Sequence, residues 1–152
     1  MKQKNYILSI ILILTIGSLQ AQKKPLQLED YGKWSRITST TTSANGNWFA
    51  YGLRPNGGDD TLHIKAVQTG EIKKIPYGSS PSFTKNSNFI AYFTSPNKEE
   101  TEKLKKAKKP VTQTAHVMNL NSEEKFEVER ASTMSFSNDG KYWTVLKNKP
   151  EN

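Results

Sequence analysis

Ser43-Ala-Asn-Gly-Asn-Trp-Phe-Ala-Tyr51 is a short stretch that the sequence repeats twice, as Thr84-Lys-Asn-Ser-Asn-Phe-Ile-Ala-Tyr92 and as Ser137-Asn-Asp-Gly-Lys-Tyr-Trp-Thr-Val145. Each copy has a hydroxyl residue, a polar turn and then a run rich in aromatic residues. The copies begin 41 and then 53 residues apart. Repetition at a spacing near 40 residues indicates a fold built from similar units.

A second pair of segments repeats with the larger of these two spacings. Leu62-His-Ile-Lys-Ala-Val-Gln-Thr-Gly-Glu71 corresponds to Ala115-His-Val-Met-Asn-Leu-Asn-Ser-Glu-Glu124, which begins 53 residues later. The 12 residues by which 53 exceeds 41 match the length of the charged stretch from Lys98 to Lys109. Because two separate segments share one offset, they belong to one repeating unit with an insertion.

Turn dipeptides predict where the strands of this unit begin. Asn45-Gly46 and Asp139-Gly140 favour tight hairpins because glycine takes a positive φ without a Cβ clash, and Asn86-Ser87 is a weaker version of the same turn. Further hairpins are predicted at Thr69-Gly70, before a strand from Ile72 to Ile75, and at Asn121-Ser122, before a strand from Phe126 to Val128. Each repeat therefore offers about four short antiparallel strands.

A four-stranded repeat of roughly 40 residues is typical of a propeller blade. We predict an all-β fold, with antiparallel four-stranded blades of an incomplete β-propeller over residues 37–152. This range corresponds to about two blades and the start of a third. Residues 22–36 are a lead-in segment, in which Leu28 to Trp34 forms either a helical turn or an extended strand. Several blades are needed for stability, because one blade cannot bury both of its faces alone.

The insertion at 97–109 has the pattern of a charged helix. Asn97 is placed to cap it, Glu100 follows three residues later as in a capping box, and Pro110 stops it. The predicted ion pairs are Glu99–Lys103 and Glu102–Lys106, with the acid first. Only Leu104 and Ala107 are apolar, so the helix is expected to project from its blade into solvent.

Residues 1–21 have the layout of a secretory signal peptide. Lys2 and Lys4 are basic, Tyr6 to Leu19 is an apolar run, and Ala21 is a small residue at a plausible cleavage position. The run is shorter than the ~20 residues that a membrane-spanning helix needs. We predict cleavage after Ala21, export to the periplasm or the exterior, and no membrane attachment afterwards. The alternative is an uncleaved membrane anchor.

Composition excludes several classes of site. The chain has no cysteine, which rules out disulfides and thiolate metal sites. The net charge is +8, and the basic excess is concentrated in Lys98 to Lys109, which contains six lysines and three glutamates. A single basic insertion in an exported chain is typical of a solvated surface, so we predict no binding of nucleic acid.

The sequence contains no G-x-S-x-G nucleophile elbow, and Ser79-Ser80 is followed by Pro81. His63 and His116 occupy matching repeat positions, which would suit a metal pair. Zinc usually takes three or four ligands, however, and each histidine is explained by the alternation of a strand. We therefore predict no catalytic, no cofactor-binding and no metal-ligating residues, and no cofactor.

Acidic pairs and aromatic residues have similar explanations. Asp59-Asp60 suggests calcium, but a calcium site needs six or more oxygens, and a loop between strands explains the pair more simply. Glu99-Glu100 begins the charged helix and Glu123-Glu124 lies in a hairpin turn, so neither pair is assigned a ligand. Packing between blades, rather than ligand stacking, is predicted for Trp48, Phe49, Tyr51, Phe89, Tyr92, Tyr142 and Trp143.

Several segments in order resemble the opening of secreted bacterial peptidases of the prolyl oligopeptidase family. The resemblance covers essentially the whole mature chain, although the blade motif alone is shared with TolB-like and other propellers. The segments are Gln27-Leu-Glu-Asp-Tyr-Gly-Lys-Trp34, Ser43 to Tyr51 followed by Asn56-Gly-Gly-Asp-Asp60, Ile75-Pro-Tyr-Gly-Ser-Ser-Pro-Ser-Phe83, and the Lys-rich insertion ending in Pro110.

The resemblance implies a propeller that precedes a C-terminal α/β-hydrolase domain with a serine nucleophile, an aspartate and a histidine. Such a propeller would admit oligopeptides and keep folded proteins out. On this reading the chain is the N-terminal propeller fragment of an exported serine peptidase, truncated before the hydrolase domain, with no catalytic residues of its own. Its partners would be that hydrolase domain and oligopeptide substrates. The alternatives are a non-enzymatic TolB-like binding module of the cell envelope and a split gene product without independent function.

Overall fold

The computed structural model describes residues 25–149, so the predicted signal helix in 1–21 lies outside the described residues. A one-turn helix, α1 (Leu28–Tyr31), precedes the strands, and a second helix, α2 (Lys98–Lys106), lies between β6 and β7. The strands are β1 (Ser35–Thr42), β2 (Trp48–Pro55), β3 (Thr61–Ala66), β4 (Ile72–Pro76), β5 (Gly78–Phe83), β6 (Phe89–Thr94), β7 (Gln113–Asn119), β8 (Lys125–Phe136) and β9 (Trp143–Lys147). Neither described helix is long and apolar enough to cross a membrane.

The strands form two antiparallel meanders. The first sheet has the order β1-β2-β3-β4 and the second has the order β5-β6-β7-β8-β9. Strand β8 is long because its first half pairs with β7 and its second half pairs with β9. The bend between the halves is at Arg130, whose φ is 59°, and Tyr77, 53 residues earlier, has a φ of 61° between β4 and β5. The all-β, incomplete propeller fold predicted from the repeats is confirmed.

Each sheet has two different faces, which we call front and back. On the first sheet the back face carries Ala50, Leu62 and Ile64, and the front face carries Phe49, Tyr51 and His63. The strand register and the repeat offsets identify the matching faces of the second sheet. Its back face carries Ala91, Ala115 and Val117, and its front face carries Ile90, Tyr92 and His116.

The main core lies between the back face of the first sheet and the front face of the second. Its buried members are Ala50, Leu62, Ile64, Ile90, Tyr92, Met118 and Leu120, with Trp48, Ile75 and Phe83 packed against them. A Cβ on Gly78 would lie only 2.7 Å from the Cβ of Leu62, so glycine is required where β5 crosses the first sheet. The two sheets are therefore face-packed layers of one core.

A second core holds a third layer in place. Phe93, Ala115 and Ala131 are buried together, and Met134, Trp143 and Val145 pack against them. These residues come from β6, β7, the second half of β8, and β9. The second half of β8 and β9 therefore cover the back face of the second sheet, as the second sheet covers the back face of the first.

The repeated turn has a physical basis in its hydroxyl residue. The Ser43 Oγ accepts a hydrogen bond from the Trp48 N–H at 3.0 Å, and the Thr84 Oγ1 accepts one from the Phe89 N–H at 3.1 Å. Ser137 repeats this contact with the N–H of the residue five positions later. The hydroxyl therefore closes each hairpin, which explains why serine or threonine opens every copy.

The helix α2 is shorter than the predicted 97–109. It ends at Lys106 because Lys108 adopts a φ of 55°, which a continuing helix does not allow. Asn97 caps the helix as predicted, with its Oδ1 accepting the Glu100 N–H at 2.7 Å. No residue of α2 is buried, so the helix contributes no side chain to either core.

The predicted ion pairs of α2 are half right. Glu99 and Lys103 pair at 2.7 Å, as the i,i+4 spacing predicts. Glu102 instead pairs with Lys105, three residues on, at 3.0 Å. Both pairs are exposed, so they add little to the stability of the protein.

Candidate functional site

A polar cleft of about 680 Å³ lies at one end of the two sheets. The loop between β2 and β3 forms one wall, and α2 with the start of β7 forms the other. Its polar lining includes Arg36, Arg54, Asp59, Asp60, Ser79, Ser95, Lys98, Glu102, Lys105 and Gln113. The cleft offers hydroxyl, amide and guanidinium groups, which bind polar ligands.

The two aspartates of the cleft are engaged with the protein itself. Both carboxylate oxygens of Asp60 accept hydrogen bonds from the Arg54 guanidinium, and this carboxylate raises the pKa of Arg54. Asp59 accepts the backbone N–H of Lys98 at 2.8 Å, at the start of α2. Asp59 and Asp60 lie in the loop between strands, as predicted, and their contacts explain them without a cation.

The serines of the cleft are not placed beside a base. Ser79 lies on β5 opposite Phe93, and the Ser95 Oγ accepts a hydrogen bond from the Gln113 side-chain amide at 2.9 Å. Ser80 is outside the lining, at a bulge with a φ of 51°. No histidine lines the cleft. Acyl transfer needs a nucleophile within hydrogen-bond reach of a base, and the described lining of this cleft does not provide that pair.

Each histidine is stacked on a tyrosine of the neighbouring strand. The rings of Tyr51 and His63 are 5.0 Å apart and 10° from parallel, and those of Tyr92 and His116 are 5.1 Å apart and 17° from parallel. The two stacks occupy matching positions in different sheets. The structure therefore does not bring the two histidines together, and no group of three or more His, Cys, Asp or Glu residues that would suit a metal ion occurs within residues 25–149.

The two stacks differ in their polar partners. His116 Nε2 lies 2.8 Å from the Thr94 hydroxyl, and its Nδ1 lies 3.6 Å from the Glu127 carboxylate. His63 Nδ1 is buried and has no hydrogen-bond partner among residues 25–149, because Lys74 occupies the position that matches Glu127. Leu53 occupies the position that matches Thr94. Burial lowers the pKa of His116, with a smaller opposing effect from the Glu127 charge. Burial likewise raises the pKa of Tyr92.

One acidic pair has a structural role that sequence reasoning missed. Glu123, in the turn between β7 and β8, pairs with Lys73 of the first sheet at 2.6 Å. The hydrogen bond and ion pair with Lys73 lower the pKa of Glu123. A contact between residues 50 positions apart on different sheets follows only from the packing of the layers, and no local pattern in the sequence signals it.

The aromatic repeat positions divide between core and surface. Trp48 and Tyr92 belong to the core between the two sheets, and Trp143 belongs to the second core. Phe49 stacks on Tyr51 on the front face of the first sheet. Tyr142 is 69% exposed, so a matching repeat position alone does not guarantee burial.

No protein-family model matches the sequence, and no curated protein matches it significantly. The fold defines the class of protein: the described residues form successive antiparallel blades of an incomplete β-propeller. The solved structures that resemble this chain also contain β-propellers.

The structural neighbours are propeller domains of prolyl oligopeptidase-family peptidases. The propeller domain of the trilobed protease from Pyrococcus furiosus superposes with a TM-score of 0.55 at 13% identity, over 75% of this chain and 35% of that one. Acylaminoacyl peptidase from Pyrococcus horikoshii gives a TM-score of 0.56 at 17% identity, over 80% and 19%. A prolyl endopeptidase gives 0.55 at 23% identity, over 73% and 18%. The chain thus spans about a third or less of each neighbour.

Proposed function

We propose that this chain is the N-terminal part of the propeller of an exported serine peptidase of the prolyl oligopeptidase family. The observation that carries the proposal is the superposition of two packed sheets on the propellers of peptidases with different names and specificities. The ordered sequence resemblance to secreted members of that family supports it independently. In this role the blades restrict access, so that oligopeptides reach an α/β-hydrolase domain and folded proteins do not.

The catalytic serine, aspartate and histidine would belong to the hydrolase domain. This division of labour is consistent with the polar cleft, whose lining has hydroxyl groups but no histidine. It is also consistent with the two histidines, which are committed to stacking on tyrosines. One neighbour, an acylaminoacyl peptidase, was solved with a peptide-derived chloromethyl ketone bound, and short peptides are the substrates we propose for this protein.

The proposal is tested on the protein purified from its native host. We expect an active-site serine probe to label it. We also expect it to hydrolyse chromogenic dipeptides and tripeptides and to leave intact a folded protein that contains the same short sequences. The matched control is residues 22–152 expressed alone, which should show neither labelling nor turnover. A native protein that carries no reactive serine would contradict the proposal.

Export is tested separately. Mass spectrometry of the mature protein should find Gln22 at the N-terminus. Cell fractionation should place the protein outside the cytoplasm. A mature chain that still begins at Met1 would show that residues 1–21 are retained.

A further inference from the structure

The sequence contains two Asn-Gly dipeptides, Asn45-Gly46 and Asn56-Gly57. Because glycine has no side chain, the backbone nitrogen that follows such an asparagine can approach the carbon of the side-chain amide. The nitrogen gives up its proton, forms a bond to this carbon and expels the amide as ammonia. Water then opens the resulting cyclic imide to aspartate or isoaspartate. The rate at each dipeptide depends on whether the fold leaves the nitrogen and the amide free to react.

The fold holds the first dipeptide inside a hairpin turn. The Gly46 N–H, which contains the attacking nitrogen, donates to the Ser43 carbonyl oxygen at 2.9 Å. The Asn45 Oδ1 accepts hydrogen bonds from the Ser43 hydroxyl at 2.7 Å and from the Asn47 N–H at 3.0 Å. The Asn45 N–H also donates to Ser87 of the next sheet. The imide can therefore form at Asn45 only after the turn opens, which breaks these hydrogen bonds together.

The second dipeptide lies in the loop between β2 and β3, where both of its residues are exposed. The Gly57 N–H donates to no oxygen within residues 25–149. The Asn56 side chain makes one hydrogen bond with the described residues, from its Nδ2 to the Tyr31 carbonyl oxygen at 3.1 Å. Formation of the imide at Asn56 therefore breaks this side-chain contact and does not require the sheets to open.

Asn56 also attaches the lead-in segment to this loop. Its backbone N–H donates to the Trp34 carbonyl oxygen at 2.9 Å, and its side-chain amide donates to Tyr31 at the end of α1. Deamidation replaces the donor NH₂ group by a carboxylate oxygen, which repels the Tyr31 carbonyl oxygen instead of binding it. In the isoaspartate product, the main chain also lengthens by one methylene at this point. The reaction that modifies Asn56 thus removes an attachment of α1.

We infer that Asn56 is a site of spontaneous deamidation in the folded protein, and that its conversion releases α1 from the loop between β2 and β3 while Asn45 is preserved. The helix α1 has no buried residue, so no core contact replaces the lost hydrogen bond. Because Asn56 lines the polar cleft, its conversion also adds a negative charge there. This inference is independent of the proposed peptidase function.

Peptide mass spectrometry of the full-length protein purified from its native host tests the inference. Trypsin leaves both dipeptides in one peptide, 37–65, because Pro55 protects the bond after Arg54. Fragment ions then separate the two sites. In folded protein kept in mildly alkaline buffer, Asn56 should convert about tenfold faster than Asn45, whose turn must open first. In denaturant the two rates should converge.

Three results of this experiment would overturn the inference. The first is equal conversion of Asn45 and Asn56 in the folded protein. The second is the absence of conversion at Asn56. The third is a rate difference that persists in denaturant, because the folded hairpin turn would then not be what protects Asn45.

The substitution Gly57→Ala tests the chemistry with little change to the loop. A Cβ at position 57 would lie 3.5 Å from the nearest atoms of Gly32, which is ordinary van der Waals contact, and Gly57 does not have a positive φ. The added methyl group hinders the attacking nitrogen, so conversion of Asn56 should slow several-fold. Unchanged conversion would show that the Gly57 nitrogen is not the nucleophile.

The substitution Asn56→Asp reproduces one product and tests the release of α1. Chymotrypsin should cut this full-length variant after Tyr31 or Trp34 several-fold faster than it cuts the parent protein. The matched control is Asn45→Asp, because the Asn45 side chain acts only as an acceptor among the described residues and aspartate keeps those hydrogen bonds. Cleavage of both variants at the rate of the parent would contradict the release. None of these measurements depends on peptidase turnover, so failure of the peptidase proposal leaves them unaffected.

Discussion

At the scale of single residues, Ser87 shows how a turn position is adapted to its place in the molecule. The matching residues in the other two copies are Gly46 and Gly140, both with a φ of 72°, whereas Ser87 has a φ of 59°. Ser87 is nevertheless buried, and its Oγ accepts the N–H of Asn45 at 3.1 Å, which ties the turn of one sheet to the turn of the next. The serine adopts a strained φ, but its hydroxyl makes a hydrogen bond that glycine cannot make.

This balance predicts different outcomes for two substitutions at position 87. Ser87→Ala keeps the strained φ and removes the part-buried hydrogen bond from the Asn45 N–H, so it should destabilise the protein by about 1 kcal/mol. Ser87→Gly also loses the hydrogen bond, but it relieves about 1 kcal/mol of backbone strain and should melt close to the parent. Denaturant unfolding of both variants decides this, and equal losses would show that the φ at this turn is not strained.

His116 predicts a pH dependence whose sign follows from its environment. Because burial lowers its pKa below the usual histidine value of 6.5, the neutral ring stabilises the folded state above pH 6.5. That stability is lost as the pH falls through the lower folded-state pKa. The unfolding free energy measured from pH 7.5 downwards should therefore decline less in His116→Gln than in the parent protein.

The control is Glu127→Gln. The Glu127 charge raises the pKa of His116, so its removal should extend the loss of stability to lower pH. If His116→Gln titrates like the parent, the acid sensitivity arises elsewhere.

At the scale of secondary structure elements, α2 is an appendage with one firm attachment. No residue of the helix is buried, and Asp59 holds its first turn through the Lys98 N–H at 2.8 Å. Replacing residues 98–109 by a short Gly-Ser linker in the full-length protein should therefore change the Tm very little. Thermal melts test this, with Trp48→Ala, which removes a ring packed on the main core, as the destabilising comparison. A large loss from the deletion would show that α2 supports the sheets.

Much of this element order can be predicted from the sequence, because hairpin turns and strands are set by nearby residues. The turn at Asn45-Gly46 and the cap at Asn97 depend on contacts within five positions, and both appear as expected. The length of β8 does not follow from local patterns, because its two halves pair with different strands. The Lys73–Glu123 and Asp59–Lys98 contacts also depend on the packing of layers. The polar cleft also depends on the packing of separate elements, so no sequence motif predicts it.

At the scale of the whole molecule, stability depends on packing between layers. Leu62 is fully buried between the two sheets and lies against Gly78. Leu62→Ala should cost about 2–5 kcal/mol, because it opens a cavity where the layers meet. Leu28→Ala, at a site that is 86% exposed, is the matched control and should change stability by less than about 0.5 kcal/mol. Similar effects at both sites would mean that the layers do not share one core.

The polypeptide 22–152, expressed alone, should be poorly folded. Its front face exposes Ile37 and Ile72, and β9 exposes Leu146 at the other end. Exposed sheet faces and strand edges favour aggregation, and no disulfide compensates because the chain has no cysteine. We expect rapid cleavage by chymotrypsin and a weak near-UV circular dichroism signal. A protease-resistant monomer with a sharp melt would show that these layers are self-sufficient.

Strand β8 gives this molecule a particular kind of cooperativity. Because a single strand of 12 residues is hydrogen-bonded to β7 through its first half and to β9 through its second, it belongs to two layers without a loop between them. The third layer cannot fray without releasing half of a strand that is covalently continuous with the second. In a linear array of repeats, the free energy of unfolding is a sum of the stability of each repeat and of the interfaces between neighbouring repeats. A strand shared by two layers strengthens the interface between those two layers. The second and third layers are therefore expected to unfold together, although the sequence repeat places them in different units.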